Sequence, residues 1–63
     1  MNPKEMIETI KKEKGLSNKS LAKILDCNES SIWYVIKGKR SGRGIYFRLV
    51  DEFPELLDKV IGG

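Results

Sequence analysis

The residues able to do chemistry in this chain are few, and they suit binding better than reaction. Cys27 is the one cysteine, and there is no histidine. A Ser–His or Cys–His nucleophile pair is therefore ruled out, as is a disulfide within the chain. A zinc site would have to rest almost wholly on carboxylates, which is contrary to zinc's preference for nitrogen and sulfur. Gly42-Arg43-Gly44 lacks the spacing of a phosphate-binding glycine loop. No catalytic residue, metal or cofactor is expected, and the chain does not read as an enzyme. Cys27 itself reads as a small buried hydrophobe.

What remains is recognition chemistry. Lys37, Lys39, Arg40, Arg43 and Arg48 form a basic run with no acid among them, and Asp51, Glu52, Glu55 and Asp58 then reverse the sign. The overall balance is mild, with 12 basic and 9 acidic residues and a net charge of +3, so placement matters more than the total. A basic patch confined to one connection suits a polyanion such as nucleic acid. A solvated loop has the same composition. Just upstream, Glu29, Ser30, Trp33 and Tyr34 bring a carboxylate, a hydroxyl and two aromatic rings within six positions.

These groups need elements to hold them, and the apolar spacing predicts about five short helices in an all-α, single-domain bundle over residues 1–63. Asn2 and Pro3 open the first helix as cap and first-turn proline; Met6, Ile7 and Ile10 line one face, and Gly15 ends it. Ser17 caps a second helix over Asn18–Leu25, with Leu21, Ala22 and Leu25 facing in. After three or four residues Asn28 caps a third, over about 28–37, with Ile32, Val35 and Ile36 inward and an end at Gly38. Ser41–Gly44 reads as a flexible loop. A fourth helix is expected from about Ile45 to Glu52, although the alternation of Ile45, Phe47 and Leu49 also fits a strand. Pro54 separates it from a fifth helix carrying Leu56, Leu57, Val60 and Ile61. A charged start without an apolar stretch, and no apolar run near the ~20 residues of a membrane span, set the expectation of a cytoplasmic protein with no membrane contact.

The stretch Leu16–Arg40, LSNKSLAKILDCNESSIWYVIKGKR, resembles without a gap the helix-turn-helix of the Cro and phage-repressor (Xre-type) family. The matching features are Leu16-Ser17, Leu21-Ala22, Leu25, Ile32, Val35 and Gly38-Lys39-Arg40, with Ile7, Ile10 and Gly15 upstream. Four positions depart from the family's habit. Asp26 stands where glycine is frequent in the turn, which demands a left-handed backbone from an L residue. Asn18 replaces a longer glutamine. Lys11 and Ile36 occupy the places of a frequent arginine–glutamate pair, exchanging an ion pair for apolar burial.

The resemblance implies a lambda-repressor-like bundle that binds double-stranded DNA as a transcription regulator, with the third helix in the major groove. Glu29, Ser30, Trp33 and Tyr34 fall at its base-contacting positions. Glu29 can accept from cytosine N4 and rejects guanine's acceptors, or it can simply stabilise the helix start. Trp33 can reach sugar and base edges or fold sideways onto the fourth helix, and the second reading is preferred. Phosphate contacts fall to Asn18, Lys19, Asn28, Lys37, Lys39, Arg40 and Arg43. A chain this short buries only about 60% of its unfolded surface, so a homodimer is the expected supplement. Its surface is placed among Phe47, Phe53, Leu57, Val60 and Ile61, which could equally close the monomer core. The rival readings are a protein-binding module that docks on another regulator, as an antirepressor does, and an excisionase-like architectural factor.

Overall fold

The computed structural model describes the backbone of residues 2–62 and the side chains of residues 2–59. Five helices follow one another: α1 (Pro3–Lys14), α2 (Asn18–Ile24), α3 (Glu29–Ile36), α4 (Arg43–Glu52) and α5 (Glu55–Gly62). The described residues contain no strand, so the alternation over Ile45–Val50 belongs to a helix. Ile45 and Leu49 are buried four residues apart, whereas Phe47 is 67% exposed; a half-buried strand would have put all three on one face.

Local chemistry explains most boundaries. Asn2 Oδ1 accepts from the Glu5 N–H at 2.8 Å, and Ser17 Oγ accepts from the Ser20 N–H at 3.1 Å. Each satisfies a donor that a helix start leaves open. In α1, Glu5 lies in the first turn and Lys11, Lys12 and Lys14 in the last, in the sense that complements the helix dipole.

The core draws on every helix: Met6, Ile7 and Ile10 of α1, Leu21 and Ala22 of α2 with Leu25 just beyond, Ile32 and Val35 of α3, Ile45 and Leu49 of α4, and Leu56 of α5. No polar or charged side chain is buried among them. Helices α2 and α3 pack against each other, and Ala22 of α2 is buried, where a small side chain suits close helix packing. Ile36 packs against the cluster, so the exchange of an ion pair for apolar contact is realised. Cys27 is half-buried against the same cluster. Desolvation raises its thiol above the ordinary range, offset in part by Arg48, which fits an inert packing residue. At the surface, Lys14 meets Glu55 at 3.2 Å and Lys59 meets Glu13, tying α5 to the end of α1. Such exposed pairs add little, ~0–1 kcal/mol each. The Glu55 carboxyl is held below its usual range by a backbone hydrogen bond at the helix start and then by Lys14.

The turn between α2 and α3 covers Leu25–Asn28, and Asp26 there has φ +55°, the left-handed backbone its position demanded. Asp26→Gly should therefore stabilise the fold by about 0.5–1 kcal/mol, since only the strain is removed and the main-chain carbonyl stays. A raised urea midpoint at unchanged slope would show this.

The reading of Ser41–Gly44 as a flexible loop is corrected. Helix α4 begins at Arg43, two residues early, and Gly42 is a buried, left-handed N-cap with φ +79°. A Cβ placed there would lie 2.9 Å from Pro3 Cβ and 3.0 and 3.2 Å from the Val35 methyls. The chain turns tightly at this point because α1, α3 and the start of α4 meet against it.

Candidate nucleic-acid interface

Helix α3 turns Ile32 and Val35 into the core, and successive residues advance about 100°. The opposite side therefore carries Ser30, Tyr34 and Lys37, with Trp33 on the flank and Glu29 nearer the boundary; Tyr34 is half-buried and the other four are exposed. Glu29, Ser30, Trp33 and Tyr34, the four residues singled out for base contact, line one shallow concavity on that face.

Trp33 is one of the exposed large hydrophobic side chains of the molecule. It is 43% exposed and stands edge-on to Tyr34, with centroids 5.4 Å apart and planes at 76°. Lys37 Nζ lies 5.5 Å from the Trp33 centroid, and the Arg40 guanidinium lies 5.2 Å from that of Tyr34. Each cation over a ring gains roughly 0.5–1 kcal/mol at such exposure. The aromatic pair thus organises the cations that follow the helix.

Gly38 makes this geometry accessible. With φ +77° it reverses the chain just past α3, so that the Lys39 N–H reaches back to the Tyr34 carbonyl at 2.8 Å and the Gly38 N–H to Val35 at 3.1 Å. The reversal brings Arg40 back over Tyr34 instead of letting it run on along the helix axis. Ser31, Arg40, Ser41 and Arg43 then line a groove between α3 and the start of α4, floored by Cys27 and Val35.

Lys37, Lys39, Arg40 and Arg43 form no ion pair among the described residues; both salt bridges lie elsewhere, between α1 and α5. Lys19 is exposed on the first turn of α2 and Asn28 just before α3. Asn28 occupies the N-cap position, yet its side chain makes no capping hydrogen bond, so its amide is not committed to the helix. Asn18 is less suited to its expected role. It is half-buried and its Oδ1 is covered without a hydrogen-bond partner.

Arg48, a member of the basic run in the sequence, is diverted to the fold. Its Nη1 donates to the Leu25 carbonyl at 2.7 Å and to the Asp26 carbonyl at 2.6 Å, clamping the end of α2 and the strained turn. Nothing in the sequence pointed to this contact, because its partners lie 22 and 23 residues away. Arg48→Met should cost about 1–2 kcal/mol, by loss of a charge-assisted bond at a partly exposed site. A lowered urea midpoint, with amide exchange accelerated first at Cys27 and Asn28, would register it.

The residues expected at a dimer surface divide. Phe47 and Leu57 are exposed, at 67% and 39%, but Phe53 is packed against the core and serves the monomer. The side chains of Val60 and Ile61 lie outside the described residues.

No protein-family model matches the chain, and neither the curated proteins nor the solved structures give a significant match. No helix among the described residues is long and apolar enough to cross a membrane.

Proposed function

We propose that this protein is a sequence-specific, double-stranded DNA-binding transcription regulator of the Cro or phage-repressor kind, acting most simply as a repressor. The observation that carries the reading is the exposed face of α3, whose four candidate base-reading side chains share one concavity, followed at once by cations that form no ion pair among the described residues. A helix of this width fits the major groove, and its first turns reach base edges. Glu29 and Ser30 then read bases, with Trp33 and Tyr34 beside them. Lys19, Asn28, Lys37, Lys39 and Arg40 hold phosphates on either side and set the register. Glu29 selects partly by exclusion, because a carboxylate repels phosphate and cannot pair with guanine's acceptors.

A second reading has one observation in its favour. An exposed tryptophan edge-on to a tyrosine is the composition of a protein-binding hot spot. The test separates the two. A pool of random duplexes is titrated at about 50 and 200 mM salt and the retained fragments are sequenced. The DNA reading requires enrichment of a short motif and affinity that falls steeply with salt. Absence of retention at the lower salt would overturn it and leave the Trp33–Tyr34 face to a protein partner.

A further inference from the structure

Helix α4 carries a second exposed feature, of which only Arg43 is shared with the expected phosphate contacts. Arg43, Phe47 and Asp51 stand at i, i+4 and i+8, all exposed, on the side opposite the buried Ile45 and Leu49. Phe47 is the most exposed of the large hydrophobic side chains described. Beside it, Phe47, Arg48, Val50, Asp51 and Leu57 line a mainly apolar groove. A projecting ring next to an apolar groove is both halves of a self-complementary contact.

The charges point to the same partner. Arg43 lies in the first turn of α4 and Asp51 in the last, each on the wrong end for its own helix dipole. Neither forms an ion pair within the described residues. A second copy of α4 laid antiparallel about a two-fold axis at Phe47 corrects both faults. Each Arg43 then faces the other copy's Asp51 and the negative end of its helix. We infer that the protein forms a two-fold homodimer through antiparallel α4 helices, with each Phe47 seated in the other copy's Phe47–Val50–Leu57 groove and two Arg43–Asp51 pairs flanking it.

The surface is modest. A stable interface hides about 800 Å² per partner, roughly a fifth of this chain's 4209 Å² of accessible surface. One helix face with Leu57 hides less than that, so the dimer is reversible and concentration-dependent.

The test uses the full chain without DNA, so its failure leaves the DNA reading standing, and the reverse holds as well. Sedimentation equilibrium is run up to about 1 mM protein. The wild type should show a monomer–dimer equilibrium. Phe47→Ser should abolish dimer, and Arg43→Glu or Asp51→Arg alone should weaken it by at least about tenfold, because each brings like charges face to face twice. An equimolar mixture of Arg43→Glu and Asp51→Arg should recover the wild-type constant, since every pair across that heterodimer is again opposite in sign. Circular dichroism checks that each variant folds. A wild type that stays monomeric throughout, a Phe47→Ser dimer of undiminished strength, or a folded mixture that fails to recover would each overturn the proposal.

Discussion

Gly42→Ala is expected to lower the melting temperature by about 8–40 °C. Two costs coincide. The backbone at Gly42 sits at φ +79°, where an L residue loses about 1–2 kcal/mol. The new methyl would also stand 2.9 Å from Pro3 Cβ and 3.0 Å from a Val35 methyl. Neither neighbour yields easily, since Pro3 is a ring in the first turn of α1 and Val35 is a core residue. Overpacking of this kind costs about 1–3 kcal/mol. In a domain of this size each 1 kcal/mol moves the midpoint by about 4–8 °C. A core this small supplies only about 3–5 kcal/mol in all, so much of the variant should be unfolded at body temperature. The control lies two residues along. Gly44 is helical and nothing lies within 4 Å of the position its Cβ would take. Gly44→Ala should therefore stabilise by about 0.5–1 kcal/mol. Thermal melts of the pair must move in opposite directions; equal or like-signed shifts would mean that Gly42 does not hold α4 against α1 and α3.

The second large effect concerns binding. Replacing Lys37, Lys39 and Arg40 together by glutamine should flatten the salt dependence of DNA affinity by about 2.7 in the log–log slope for each copy bound, at about 0.9 for every phosphate no longer neutralised. Between about 50 and 200 mM salt the wild type should therefore lose roughly 40-fold more affinity than the variant. The order of preference among duplex sequences should survive, because phosphate contacts set affinity and register but carry no sequence information. Stability should change little, as the cations contribute only their exposed contacts over Trp33 and Tyr34. Glu29→Ala supplies the converse result: an unchanged slope with relaxed preference at one base pair, worth about 1–3 kcal/mol there. Fluorescence anisotropy across a salt series reads both. A triple variant with the wild-type slope would place the phosphate contacts elsewhere on the molecule.

The fold was legible in the sequence wherever a single helix turn determines the outcome. Asn2, Pro3 and Ser17 act on the backbone within three residues, so the starts of α1 and α2 could be read directly. The inward faces of α1, α2 and α3 followed from spacing alone, since a face must repeat every three or four residues to be buried. Asp26 was recognisable as a left-handed residue through the resemblance alone, since it stands where that family often has glycine. The candidate base-reading set came from the resemblance; spacing alone supplied only the outward side of α3, once its inner face was assigned.

The sequence by itself thus determined the all-helical class, the caps of α1 and α2 and the side of α3 that meets solvent, all of which depend on neighbours within one or two turns. Tertiary structure alone decided what each residue of the Gly38–Arg48 region would do. Gly42 looked like slack in a loop and became a tight junction once α1 and α3 closed on it. Arg48 looked like part of a basic patch and became the clamp of a turn 22 residues upstream. Phe53 went to the core while Phe47 stayed outside. These outcomes rest on which helices pack together, and contacts between residues distant in the chain leave no periodicity behind. A glycine, an arginine or a phenylalanine carries the same local signal whether the space beside it is filled or open.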